Sequence, residues 1–126
     1  MKRILRKVPA ILVMITLFML STLPGNHPFL NSVNLSDKIE HLTAYFVLGI
    51  TFCIWIPNKN WFAKPILHAI FVITLCTLFG ASDEYHQTFV PGRSGSLYDL
   101  AADFTGGVIA VLAYFSFIKI KWTKHP

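Results

Sequence analysis

Charge is scarce in this chain. Only six of the 126 residues are acidic, charged residues make up 13% of the total, and 54% are hydrophobic, giving a mean hydropathy of +0.56. That scarcity excludes an ordinary soluble domain, in which about a quarter of residues are charged. Cysteine is nearly absent too. Cys53 and Cys76 lie inside apolar runs without C-x-x-C spacing, which argues against a disulfide framework and a redox pair. The chain also lacks a phosphate-cradling glycine loop, a nucleophile elbow, and both the H-E-x-x-H and cysteine-rich spacings of zinc sites. It has no internal repeat and no low-complexity tract, so residues 1–126 read as one domain.

What is present is a set of long apolar runs. Segments 8–23, 39–56, 61–81 and 100–120 each approach the roughly 20 residues that cross about 30 Å of hydrocarbon as a helix. The expected fold is all-α: a polytopic membrane protein of four transmembrane helices, with a polar loop between the third and fourth. The first run follows Lys2, Arg3, Arg6 and Lys7, as a signal peptide would, but no A-x-A-like cleavage site follows, so a retained anchor is expected. Those four residues, Lys59 and Lys64 in the second connection, and Lys119, Lys121 and Lys124 would share one side, leaving Lys38 and Arg93 on the other. By the positive-inside rule both termini are then cytoplasmic. The net charge of +5 and pI near 9.4 reflect these flanks, and nucleic acid is not an expected partner.

All six acidic residues then collect toward the outer face, and residues 82–107 hold four of them, Asp83, Glu84, Asp99 and Asp103, with His86, Gln87 and Arg93. Ionisable groups beside a hydrocarbon layer cost several kcal/mol unless paired or hydrated, so such a concentration marks the candidate site. In the second helix Asp37, His41 and Tyr45 recur at i, i+4 and i+8 on one face, with Glu40 adjoining. His41 is placed to donate to Asp37 or to a substrate and to do acid-base work with Glu84 or Asp83. The structural alternative is a hydrogen-bonded interfacial histidine, with Asp37 serving the positive helix N-terminus. Asn34-Leu35-Ser36 is a formal glycosylation sequon, but Ser36 reads better as the N-cap of that helix.

If the third helix continues past Ala81, Asp83 and Gln87 share a face and Glu84 points about 100° away. Pro91-Gly92 breaks the helix, and the glycines around Arg93 allow the loop to return over the site. Arg93 suits either a bidentate carboxylate pair or an anionic ligand group. Ser96-Leu97-Tyr98-Asp99 fits a capping box, which would account for Asp99; Asp103, one turn deeper, requires a buried partner, water or a proton. Ala102, Gly106 and Ala110 form a small-residue row suited to close helix packing. His41 and His86 with nearby carboxylates supply ligand types for Zn²⁺ or Mn²⁺, yet no metal or other cofactor is fixed by spacing.

Taken together, Asp37-Lys38 with His41 and Tyr45, D-E-x-x-Q at Asp83, Glu84 and Gln87, P-G-R-S-G-S at 91–96, and D-x-x-x-D-x-x-G at Asp99, Asp103 and Gly106 resemble the VanZ-like membrane protein family. The resemblance spans nearly the whole chain, with Asp103 standing where Asn is often expected. It implies a small polytopic bacterial inner-membrane protein; the namesake is associated with low-level teicoplanin resistance, a role that does not transfer by resemblance. Two classes of function follow. In one, an outer-face site binds or processes a membrane lipid or lipid-linked envelope intermediate, with Arg93 on the anionic group, Gln87, Asp37 and Tyr45 in contact, and effects on glycopeptide susceptibility. In the other, Asp99 and Asp103 belong to a structural or proton-linked network in a non-catalytic accessory subunit or transporter component, as a homodimer or with another membrane protein.

Overall fold

The computed structural model describes residues 2–28 and 37–124, and every regular element among them is helical. A short α1 (Lys2–Leu5) leads into α2 (Val8–Ser21). Beyond the connection that follows α2 come α3 (Asp37–Trp55), the short α4 (Asn58–Ala63), α5 (Pro65–Gln87) and α6 (Leu97–Lys124). Ser36 and the 34–36 sequon lie outside the described residues.

The third helix departs from its expected start. Trp61 belongs to α4, and α5 begins only at Pro65, because a proline lacks the N–H and fixes φ in a way that suits a first helical turn and breaks an interior one. Lys64, at φ −144° and ψ 66°, is the non-helical residue that sits before such a proline. Trp61 is instead fully buried, its Nε1–H donating to the Cys53 carbonyl at 3.2 Å and its ring against Tyr114 and Phe115. At the other end α5 runs through Asp83, Glu84 and Gln87, so all three project from helix.

The four long helices alternate in direction. Lys7 lies over Trp55, setting the start of α2 beside the end of α3, and Phe18 stacks near His86, setting the end of α2 beside the end of α5. His41 meets Asp103 while Gly49 meets Ala110, so α3 and α6 run parallel. That pair has the most extensive contact in the bundle. Its closeness depends on Gly106: a Cβ there would stand 2.5 Å from the Leu42 carbonyl oxygen and 2.9 Å from the Phe46 nitrogen, both backbone atoms that cannot move aside. The expected small-residue row is therefore the seam of the bundle.

The core is apolar in its middle, with Leu48, Cys53, Val72 and Cys76 fully buried, and polar at one end. Outward faces carry large apolar side chains, among them Ile15, Met19, Ile66, Ile70, Leu78, Leu112 and Phe117. Apolar surface this continuous marks contact with lipid or another apolar partner. Two helices, Pro65–Gln87 and Leu97–Thr123, are long and apolar enough to cross a membrane. By contrast α2, with 14 residues, is only about 21 Å long at 1.5 Å per residue.

Candidate functional site

At the polar end three helices deliver one ionisable side chain each to a common point. His41, from the second turn of α3, is hydrogen-bonded through Nδ1 to Oδ1 of Asp103 on α6 at 2.9 Å; with Asp103 as carboxylate, the ring N–H donates. Glu84, from the last turn of α5, places Oε1 3.7 Å from the same nitrogen. Asp103 is completely buried and Glu84 retains 7% of its exposure. The sequence offered His41 either Asp37 or a substrate; the parallel packing of α3 on α6 gives it Asp103, which supplies the buried partner that Asp103 needed. Tyr45, one turn deeper, stacks near-parallel with the His41 ring at 6.5 Å between centroids.

Gly80 makes room for this arrangement. A Cβ at that position would lie 2.5 Å from Asp103 Oδ2, so the absence of a side chain on α5 lets the carboxyl enter between helices. The sequence reading missed Gly80, although it stands one turn before Glu84 on the same helix face, a signal that could have drawn it in.

Around the triad the remaining carboxylates are held separately. Gln87 Nε2 donates to Asp83 Oδ2 at 3.3 Å, one turn apart on α5 as their spacing requires. The capping box is half formed. Ser96 Oγ accepts the Asp99 N–H at 3.3 Å, but the Ser96 N–H does not go to Asp99; Glu84 Oε2, arriving from α5, takes it at 2.6 Å. Asp99 is thus released from the cap and faces the Lys38 ammonium at 3.8 Å, with its carboxylate grouped near Asp37 and His41. Asp37 itself is exposed in the first turn of α3.

The 88–96 loop does come back onto the site, through Ser96 on Glu84 and through Gly95 against the Glu84 carbonyl. Gly92, at φ +74°, takes the left-handed conformation that reverses the chain there, and the Pro91 carbonyl accepts the Gly25 N–H at 3.1 Å, tying the loop to the end of α2. Of the two roles the sequence leaves open to Arg93, the carboxylate pair is not formed among the described residues; the residue is half-buried and its Nε is buried without a hydrogen-bond partner. His86 likewise stays apart from His41, packing on Phe18.

Several buried polar atoms of this end make no hydrogen bond within the protein: Tyr45 Oη, Asp83 Oδ1, Glu84 Oε1, Asp99 Oδ1 and Asp103 Oδ2, of which Glu84 Oε1 and Asp99 Oδ1 have only the longer contacts to His41 and Lys38. A buried polar atom left unpaired costs about 1–3 kcal/mol, so each of these atoms calls for a water, a proton or a ligand atom. Chemically the arrangement offers an imidazole oriented by a buried carboxylate, with a second carboxylate in reach for proton transfer.

Residues 8–119 match the family model described as VanZ/LLP1. No curated protein and no solved structure matches the chain.

Proposed function

This chain belongs to the VanZ/LLP1 family, and from that membership and the geometry of its polar end we propose that it is a four-span protein of the bacterial cytoplasmic membrane that binds or processes the headgroup of an envelope lipid or lipid-linked intermediate. Both termini are cytoplasmic in this reading, and the polar end faces outward, following the distribution of Lys and Arg. The short α2 spans by virtue of flanking residues and local bilayer thinning.

The observation that carries the reading is the His41–Asp103 pair with Glu84 beside it, buried between apolar helices at one end of the bundle. In this reading a lipid tail lies along the exposed apolar faces of the bundle and its headgroup sits at the polar end. Arg93, in the loop that returns to Glu84, has an unengaged guanidinium for an anionic group. His41, held by Asp103, supplies acid-base chemistry if the bound lipid is turned over, and an influence on glycopeptide susceptibility would follow from a change in envelope lipid.

Arg93→Lys keeps the charge and removes the planar fork. Binding of a polyprenyl phosphate to the purified protein in phosphatidylcholine nanodiscs is expected to weaken about five- to tenfold in Arg93→Lys and further in Arg93→Ala, with thermal stability nearly unchanged. Unchanged binding in both variants, with lost stability in Arg93→Ala, would make Arg93 structural. Preference would then pass to the accessory or proton-linked transporter reading.

A further inference from the structure

The geometry points to a divalent transition-metal site formed by His41 with one carboxylate oxygen each from Glu84 and Asp103. The inference deepens the proposed lipid site and rests on it for its biological use: carboxylates repel a phosphate headgroup, and a divalent ion placed among them would attract one.

The distances suit an ion. Ligands about 2.1 Å from a metal stand roughly 3.0 Å apart at octahedral and 3.4 Å at tetrahedral angles. His41 Nδ1 is 2.9 Å from Asp103 Oδ1 and 3.7 Å from Glu84 Oε1, and one ligand atom of each of the three residues lies within 4.8 Å of the others. Small rotations of side chains already in place, with the ion displacing the Nδ1 proton that His41 shares with Asp103, would bring all three onto one ion. Each ligand comes from a different long helix, α3, α5 or α6, so the fold rather than a local loop sets the spacing.

A second observation is independent of that clustering. Glu84 is more than nine-tenths buried, and while its Oε2 takes the Ser96 N–H, its Oε1 makes no hydrogen bond and faces the His41 ring at 3.7 Å from Nδ1. Asp103, fully buried, likewise leaves Oδ2 unpartnered. Apart from His41 itself, the cluster is also short of positive charge. Asp83, Glu84, Asp99 and Asp103 are all buried, whereas the ammonium of Lys38 reaches only Asp99 and is 60% exposed, and Arg93 pairs with none of them. A divalent ion would neutralise the two carboxylates that ligate it, removing the largest desolvation cost of the polar end. One imidazole nitrogen and two carboxylate oxygens are the donor set of Mn²⁺ or Zn²⁺ and leave positions open for a ligand oxygen.

The test uses the whole chain in mild detergent without added lipid, stripped by chelator and then titrated with MnCl₂ and, separately, ZnCl₂. Binding is followed by calorimetry and retained metal by elemental analysis. About one equivalent per chain is expected to be retained. Glu84→Gln preserves the acceptor for Ser96 and is expected to lower the affinity at least tenfold, as is His41→Asn, with helicity and elution profile unchanged. Asp37→Asn, which alters the neighbouring Asp37–His41–Asp99 group, is expected to leave affinity unaltered. Loss of binding in Asp37→Asn but not in Glu84→Gln would overturn the assignment, as would a wild-type chain that retains neither ion. Polyprenyl phosphate binding is measured in parallel on both the stripped and the metal-loaded protein. Lipid binding without metal binding removes this inference alone, whereas metal binding without lipid binding removes the lipid reading and leaves the site.

Discussion

Asp103→Leu is expected to lose most of the folded protein, at a cost of about 3–5 kcal/mol, while Asp103→Asn remains close to wild type in stability. Two effects add in the leucine variant. The larger side chain is forced against the backbone at Gly80, where Asp103 Oδ2 already fills the space a Cβ would take, and His41 is left without its 2.9 Å partner inside the bundle. Asparagine keeps the volume and an acceptor oxygen for the His41 N–H, so it tests the charge without disturbing the shape. The measurement is the fraction remaining monodisperse after heating in detergent, across a temperature series. Equal losses in the two variants would show that the carboxylate charge itself, and not packing and hydrogen bonding, holds the polar end together.

Gly106→Leu should prevent α3 and α6 from meeting at all. The obstruction is Leu42 and Phe46 main chain rather than the end of a flexible side chain, so relaxation requires the two helices to separate along their whole shared seam. Because His41 and Asp103 lie a turn from that contact, separation also dissolves the cluster. Ala101→Leu, on the exposed face of the same helix, is the matched control and should be tolerated. Comparable recovery of folded protein from both variants would contradict the seam.

How much of this was legible from the chain depends on the range of the interaction involved. The apolar runs announced helices, and the i, i+4 spacing of Asp83 with Gln87 and of His41 with Tyr45 placed each pair on one face, as found. Ser96 showed as a helix start for the same local reason. The partners that matter most were not local. His41 and Asp103 are 62 positions apart, and a helical period gives the face a residue occupies without saying which residue of a neighbouring helix lies opposite. That register is set by Gly106 and Gly49 at the seam, whose effect appears only when the two backbones are placed together. The half-formed capping box failed for a similar reason: Glu84 comes from another helix and takes the donor that Asp99 would have used. For Arg93 the sequence left a carboxylate pair and an anionic ligand group both open; with the turn at Gly92 and the tie to Gly25, beyond the end of α2, no carboxylate pair forms among the described residues.

The account stands on the claim that the His41–Asp103–Glu84 cluster recognises a ligand rather than merely closing the bundle. The direct measurement is polyprenyl phosphate binding by His41→Asn/Asp103→Asn in phosphatidylcholine nanodiscs, beside its thermal stability. The double variant retains approximate volume and a hydrogen bond between the two positions while removing imidazole and carboxylate together. The account predicts a folded protein with binding weakened more than tenfold. A double variant that binds as tightly as wild type would contradict it and leave the cluster as a structural clasp.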